Sequence, residues 1–150
     1  QDGPLKAVET WISEATPIMS GELLAADKAY LLGDGGAYQN KKEHYIDSWT
    51  SPGTWIQWHV KFGEPGTYKV EVMAACESDA GSQFAVMGVG DALYNGRVPL
   101  TGEWTKFRAV EMGEITVDQN EVGPQILFLR AGRVVQRRIM NVQGIRLTKK

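Results

Sequence analysis

The sequence predicts an all-β domain, a two-sheet β-sandwich, and three observations point that way. From Gly21 onward, strand-sized apolar segments alternate with turn residues, and no second helical period appears. The run TWIQWHVKF, residues 54–62, alternates from end to end between Ser51-Pro52-Gly53 and Gly63-Glu64-Pro65-Gly66. No helical segments lie between the strands, which disfavours a parallel α/β fold.

Residues 1–20 stand apart. Leu5, Val8 and Ile12 recur at helical spacing and Pro17 ends any helix, so this stretch reads as a short helix or linker ahead of a sandwich domain over 21–150. In 55–62 the alternation sends Ile56, Trp58, Val60 and Phe62 to one face and Trp55, Gln57, His59 and Lys61 to the other. Trp58 is therefore core, whereas Trp55 caps the core or lines a loop. Tyr68, Val70, Val72 and Ala74 share a face in the next segment, and 55–75 reads as an antiparallel hairpin. Further strands are predicted at 83–89, 104–111, 114–118, 125–131 and 139–148, with the alternation of Phe107 and Ala109 after Trp104 supplying the core face. The 125–131 segment is apolar on both parities, as a central strand would be. Cys76 reads as a small apolar strand residue.

A chain of 150 residues is long enough for one core. Its 16 basic and 18 acidic residues, net charge −2, give no electrostatic reason to bind nucleic acid or an anionic membrane. No apolar run approaches the ~20 residues of a membrane span. The start at Gln1 without methionine agrees with a processed, secreted chain or a trimmed boundary.

Catalytic patterns are missing from the sequence. His44 and His59 are the only histidines, and no His-x-x-x-His, Cys-x-x-Cys or spaced carboxylate cluster suggests a metal site. Ser-Asp-Ala-Gly-Ser at 78–82 lacks the frame of a nucleophile elbow, and Gly-Asp-Gly-Gly at 33–36 reads as a turn. What remains is a set of aromatic residues in loop-like segments: Tyr38, His44, Tyr45 and Trp49 within 33–53, Tyr94 beside Asn95-Gly96, and Trp104 after Thr101-Gly102-Glu103. Sugar C–H patches stack on such rings while their hydroxyls take amide or charged partners.

Several stretches in order carry a resemblance: Ala26-Asp27-Lys28-Ala29, Tyr45-Ile46-Asp47-Ser48-Trp49, Trp58-His59-Val60, Pro65-Gly66-Thr67-Tyr68-Lys69-Val70, Gly81-Ser82, Val98-Pro99-Leu100-Thr101-Gly102-Glu103-Trp104 and Met140-Asn141-Val142-Gln143-Gly144-Ile145-Arg146-Leu147. Over about 22–148 the chain resembles the carbohydrate-binding modules of families 6 and 35, and is similar to galactose-binding-like domains appended to secreted fucosidases and sulfatases. The resemblance implies a β-jelly roll with a glycan site in the loops at one end and no catalysis. It implies an oligo- or polysaccharide as partner, and an extracellular or periplasmic setting within a larger glycoside-processing protein. By position, Tyr45, Trp104 and Asn141 match the site residues. Arg138, ending the run Arg133-Val134-Val135-Gln136-Arg137-Arg138, would favour uronic or sulfated sugars. Many such modules hold a structural calcium. Asp27 matches one ligand, but Gln143 stands where the other carboxylate belongs, so no cofactor is expected. The other reading is a galactose-binding-like structural or protein-interaction domain without sugar affinity.

Overall fold

The protein, seen in a computed structural model, is described over residues 14–77, 83–87, 93–132 and 138–150. Among these residues twelve strands form two six-stranded sheets. The first sheet is ordered β1 (Thr16–Pro17), β6 (Thr54–Phe62), β11 (Gly123–Ala131), β8 (Gln83–Met87) and β9 (Leu93–Arg97), with β3 (Tyr30–Gly33) also on β6. The second is ordered β10 (Arg108–Val117), β7 (Gly66–Ala75), β12 (Asn141–Lys149), β5 (Tyr45–Asp47) and β4 (Tyr38–Asn40), with β2 (Leu23–Ala25) on β12. The predicted two-sheet sandwich is the fold.

The helical spacing of Leu5, Val8 and Ile12 lies outside the described residues. Farther along the same segment, Thr16 and Pro17 pair in parallel with Val60 and Lys61. The alternation in β6 is as read: Ile56, Trp58, Val60 and Phe62 are buried, and their neighbours are half-buried or exposed. The hairpin over 55–75 is corrected, because β6 pairs with β11, β1 and β3 while β7 pairs with β10 and β12. The turn between them carries the chain from one sheet to the other. Both strands then direct their apolar faces into one core, where Phe62 meets Tyr68 edge-on at 5.2 Å. Two adjacent half-apolar strands bury as much by facing each other across a sandwich as by pairing edge to edge.

Two further boundaries change. The segments 104–111 and 114–118 are one strand, Arg108–Val117, interrupted by a bulge between Glu111 and Gly113, with Gly113 at φ 123°. The bulge shifts the alternation, so Ala109, expected on the core face, is exposed and Phe107 is half-buried ahead of the strand. Leu93–Arg97 is a strand antiparallel to β8, although Asn95-Gly96 reads locally as a turn; pairing overrides that propensity. Central placement of 125–131 holds: Leu127 and Leu129 are buried, and Ile126 and Phe128 are half-buried on the outer face. Cys76 is buried one residue beyond β7.

The glycine-rich 33–36 stretch ends β3 at Gly33 and bends at Asp34 and Gly35, locked against 51–54. Asp34 accepts hydrogen bonds from the Ser51 and Thr54 hydroxyls, which hold its carboxyl below the usual carboxylate range. A Cβ at Gly33 would lie 2.0 Å from the Gly53 carbonyl oxygen, so the two loops close only with glycine there.

Candidate functional site

Trp104 lies in the irregular segment between β9 and β10. At the end of β7, Thr101 Oγ1 accepts from the Cys76 backbone N–H at 3.0 Å and donates to Glu103 O at 2.9 Å. The backbone N–H groups of Thr101 and Gly102 both donate to Cys76 O, with Gly102 at φ 85°. From the start of β12, Asn141 Nδ2 donates to Trp104 O at 2.8 Å. The Trp104 turn is thus tied to two neighbouring core strands, although the segment that follows is irregular until Arg108.

Trp104 is half-buried, and the exposed Arg138 sets its guanidinium carbon 5.2 Å from the ring centroid. Asn141 is 2% exposed, and its Oδ1 has no hydrogen-bond partner among the described residues. Tyr45 opens β5, which pairs with β12 through Ile46 and Val142, and its half-buried ring meets Phe107 at 5.5 Å. The structure therefore joins Trp104, Asn141 and Arg138 directly, and sets Tyr45 against Phe107, three residues beyond Trp104 in sequence. Sequence reasoning had assigned Phe107 to the core because it started the strand too early. Trp49, grouped with the loop aromatics, is fully buried, and its Nε1 donates to the carbonyls of Ser51 and Thr54. Tyr38 is 58% exposed on β4. Tyr94 belongs to β9, not a loop, and its side chain lies outside the described residues, as do 78–82 and 133–137.

A second group lies on the outer face of β6. Arg130 sits 4.8 Å from the Trp55 ring centroid, Trp55 Nε1 donates to Gln57 Oε1 at 3.2 Å, and Gln57 Nε2 lies 2.8 Å from His59 Nε2. His59 stacks on Tyr30 of β3 at 4.5 Å. Leu32, opposite Trp55, is 38% exposed. Beside this ladder opens a polar cleft of about 380 Å³ lined by Thr16, Asp27, Tyr30, Gln39, Lys41 and His59. The i, i+2, i+4 spacing of Trp55, Gln57 and His59 was the sequence signal for this face.

A family model, Carbohydrate binding module (family 35), matches residues 37–135. The chain belongs to that family. Carbohydrate-binding modules are non-catalytic binding domains. The module is similar in fold to the carboxyl-terminal family 6 module of a marine laminarinase from Zobellia galactanivorans, at 21% identity and TM-score 0.64 over 83% of this chain and 96% of that one. A family 35 module from Clostridium thermocellum has TM-score 0.65 at 16% identity, covering 85% and 98%. A module of Cellvibrio mixtus lichenase 5A, solved with cellotriose, has TM-score 0.64 at 16% identity, covering 88% and 99%. No curated protein matches the chain.

The residues at the matched calcium position do not fit a hard cation. Asp27 Oδ2 lies 2.7 Å from His44 Nδ1. The nearby carbonyls of Ala26 and Ala29 both accept from the Gln39 side-chain amide, at 2.7 and 3.0 Å. These carbonyls are satisfied by a neutral amide, and among the described residues no group of three or more carboxylate, imidazole or thiol side chains gathers there, whereas calcium needs several charged oxygens. Chelator treatment is therefore expected to leave the melting temperature unchanged. Gln39→Ala, which strands two carbonyls, is expected to cost about 1–3 kcal/mol in denaturant unfolding. A melting temperature that drops with chelator and returns with calcium would overturn this assignment.

Proposed function

We propose that the module binds an oligo- or polysaccharide through the loop end formed by Tyr45, Trp104, Asn141 and Arg138, with Phe107 as an added ring, within a secreted, extracellular or periplasmic glycan-processing protein. The observation that carries this reading is the half-buried Trp104, held by Asn141 and covered by Arg138. A half-buried ring in a loop offers a stacking platform, and the Asn141 amide holds that ring's turn in place from the start of β12. The guanidinium adds a fork for a carboxylate or sulfate on the sugar. The laminarinase and lichenase relatives support glucan-processing enzymes as the kind of protein that carries the module.

The outer face of β6 supports a second contact surface. Its rings, amide and imidazole lie in a row beside an open polar cleft, the composition that a glycan chain lying along a sheet needs. A glycan array followed by calorimetry tests the function. Retention of one glycan class is expected, with Trp104→Ala and Trp55→Ala reporting the two surfaces separately. Failure of β-glucans, xylans, mannans and uronic or sulfated glycans to bind would favour a protein-interaction domain instead.

A further inference from the structure

The row on β6 has a fixed hydrogen-bond direction. An indole N–H only donates, so Trp55 Nε1 fixes Gln57 Oε1 toward itself and turns the Gln57 NH₂ toward His59. His59 Nε2 must then accept, which requires a neutral ring carrying its proton on Nδ1. We infer that His59 is a proton switch: protonation at Nε2 reverses this row and releases the Trp55 indole N–H from its partner. Nε2 and the Gln57 NH₂ would both be donors. Turning the Gln57 amide to satisfy His59 places its NH₂ against the Trp55 N–H, which is again two donors. One proton at His59 is therefore felt four residues along the strand.

The surroundings place the switch on the acid side of neutrality. Partial burial pushes the His59 imidazole below its ordinary value of 6.5, and the Glu14 carboxylate opposes that shift. On β3 the facing group is the Tyr30 phenol, and on β11 the opposed residue is Ile126, which carries no charge. On β1, Thr16 pairs with the neighbouring Val60 and lines the cleft beside His59, and on β6 itself Lys61 lies two residues on. Asp27, Lys28 and Lys41 line the adjoining cleft. A lowered pKa means that the folded state favours neutral His59. The row's contribution to stability is complete above 6.5 and is lost as pH falls through the lowered value.

The consequence for binding rests on the second-surface reading. At neutral pH the row holds Trp55 in one orientation, and a fixed ring is a prepaid platform for stacking. Affinity at this face is expected to fall severalfold on mild acidification, and affinity at the loop end is expected to hold.

Isotope-edited NMR on the ligand-free module reads the switch. The indole N–H signal of Trp55, assigned with Trp55→Phe, is expected to titrate with the His59 ring at a midpoint below 6.5. In Gln57→Leu the His59 ring still titrates and Trp55 no longer follows. His59→Gln, which keeps an acceptor for the Gln57 amide, is expected to hold the Trp55 signal constant across the same range. A Trp55 signal that ignores His59 in the wild type, or that still follows it in Gln57→Leu, overturns the switch. Cellotriose and a β-1,3-glucan oligosaccharide then probe binding in a Trp104→Ala background. A Trp55 signal that titrates as expected while neither probe binds this face in a pH-dependent way overturns the second-surface reading instead.

Discussion

Trp58→Ala is expected to lower the unfolding free energy by about 3–5 kcal/mol, the usual cost of emptying a fully buried tryptophan site. Trp58 is 0% exposed in the middle of β6, between Ile56 and Val60, which are also fully buried. Its Nε1 donates to the Ala25 carbonyl at 2.9 Å, tying β6 to the end of β2 in the opposite sheet. The substitution thus removes a ring from the core and also strands an acceptor. For a chain of this length the loss corresponds to a fall of roughly 10 °C in melting temperature. Trp58→Phe keeps most of the ring and loses only the hydrogen bond, so about 1–3 kcal/mol is expected. Trp55→Ala, three residues earlier on the half-buried face, is expected to change stability by less than about 1 kcal/mol, because it empties no buried site. Denaturant unfolding of the three variants checks the contrast. An unchanged Trp58→Ala would mean that the two faces of β6 are misassigned.

That contrast was legible in TWIQWHVKF, because side chains on a strand alternate and the apolar set fell on one parity. Partner choice was not legible. Nothing local in Gly63-Glu64-Pro65-Gly66 distinguishes a hairpin from a crossing between sheets, since either places Phe62 and Tyr68 on a buried face. The phase of β10 is not legible for a related reason: Met112-Gly113 falls between the two predicted strands 104–111 and 114–118, whereas a bulge there keeps the strand continuous and changes which parity faces the core, leaving Ala109 exposed. At the loop end, the residue types pointed to Tyr45, Trp104, Asn141 and Arg138. Their contacts did not follow from spacing, since Asn141 and Trp104 meet across 37 residues and Arg138 reaches the ring only because β12 begins beside that turn. Trp49 failed as a surface aromatic because polar neighbours in sequence do not prevent a side chain from entering the core.

Trp104→Ala is expected to abolish most glycan affinity at the loop end while the module stays folded. Millimolar to micromolar binding amounts to only about 4–8 kcal/mol in total, so a stacked ring worth roughly 1 kcal/mol beyond its buried area, plus the area itself, is a large share. Loss of affinity by more than about tenfold corresponds to ~1.4 kcal/mol. The fold should survive, because the ring is only half-buried and packs at the margin of the core. Asn141→Ala acts on the same turn through the backbone: it removes the donor to Trp104 O, so the turn loses its tie to β12 and the ring its fixed position. Weaker binding and a moderate stability loss are both expected. Arg138→Gln separates charge from stacking. The guanidinium lies on the ring, so a neutral sugar must displace it, whereas a uronic or sulfated sugar can pair with it. Arg138→Gln should therefore weaken an anionic ligand, leave a neutral one unchanged or tighter, and reduce the salt dependence of binding. Calorimetry on an array-identified ligand with the folded variants decides the matter, and full affinity in both Trp104→Ala and Asn141→Ala would move the site away from this end of the sandwich.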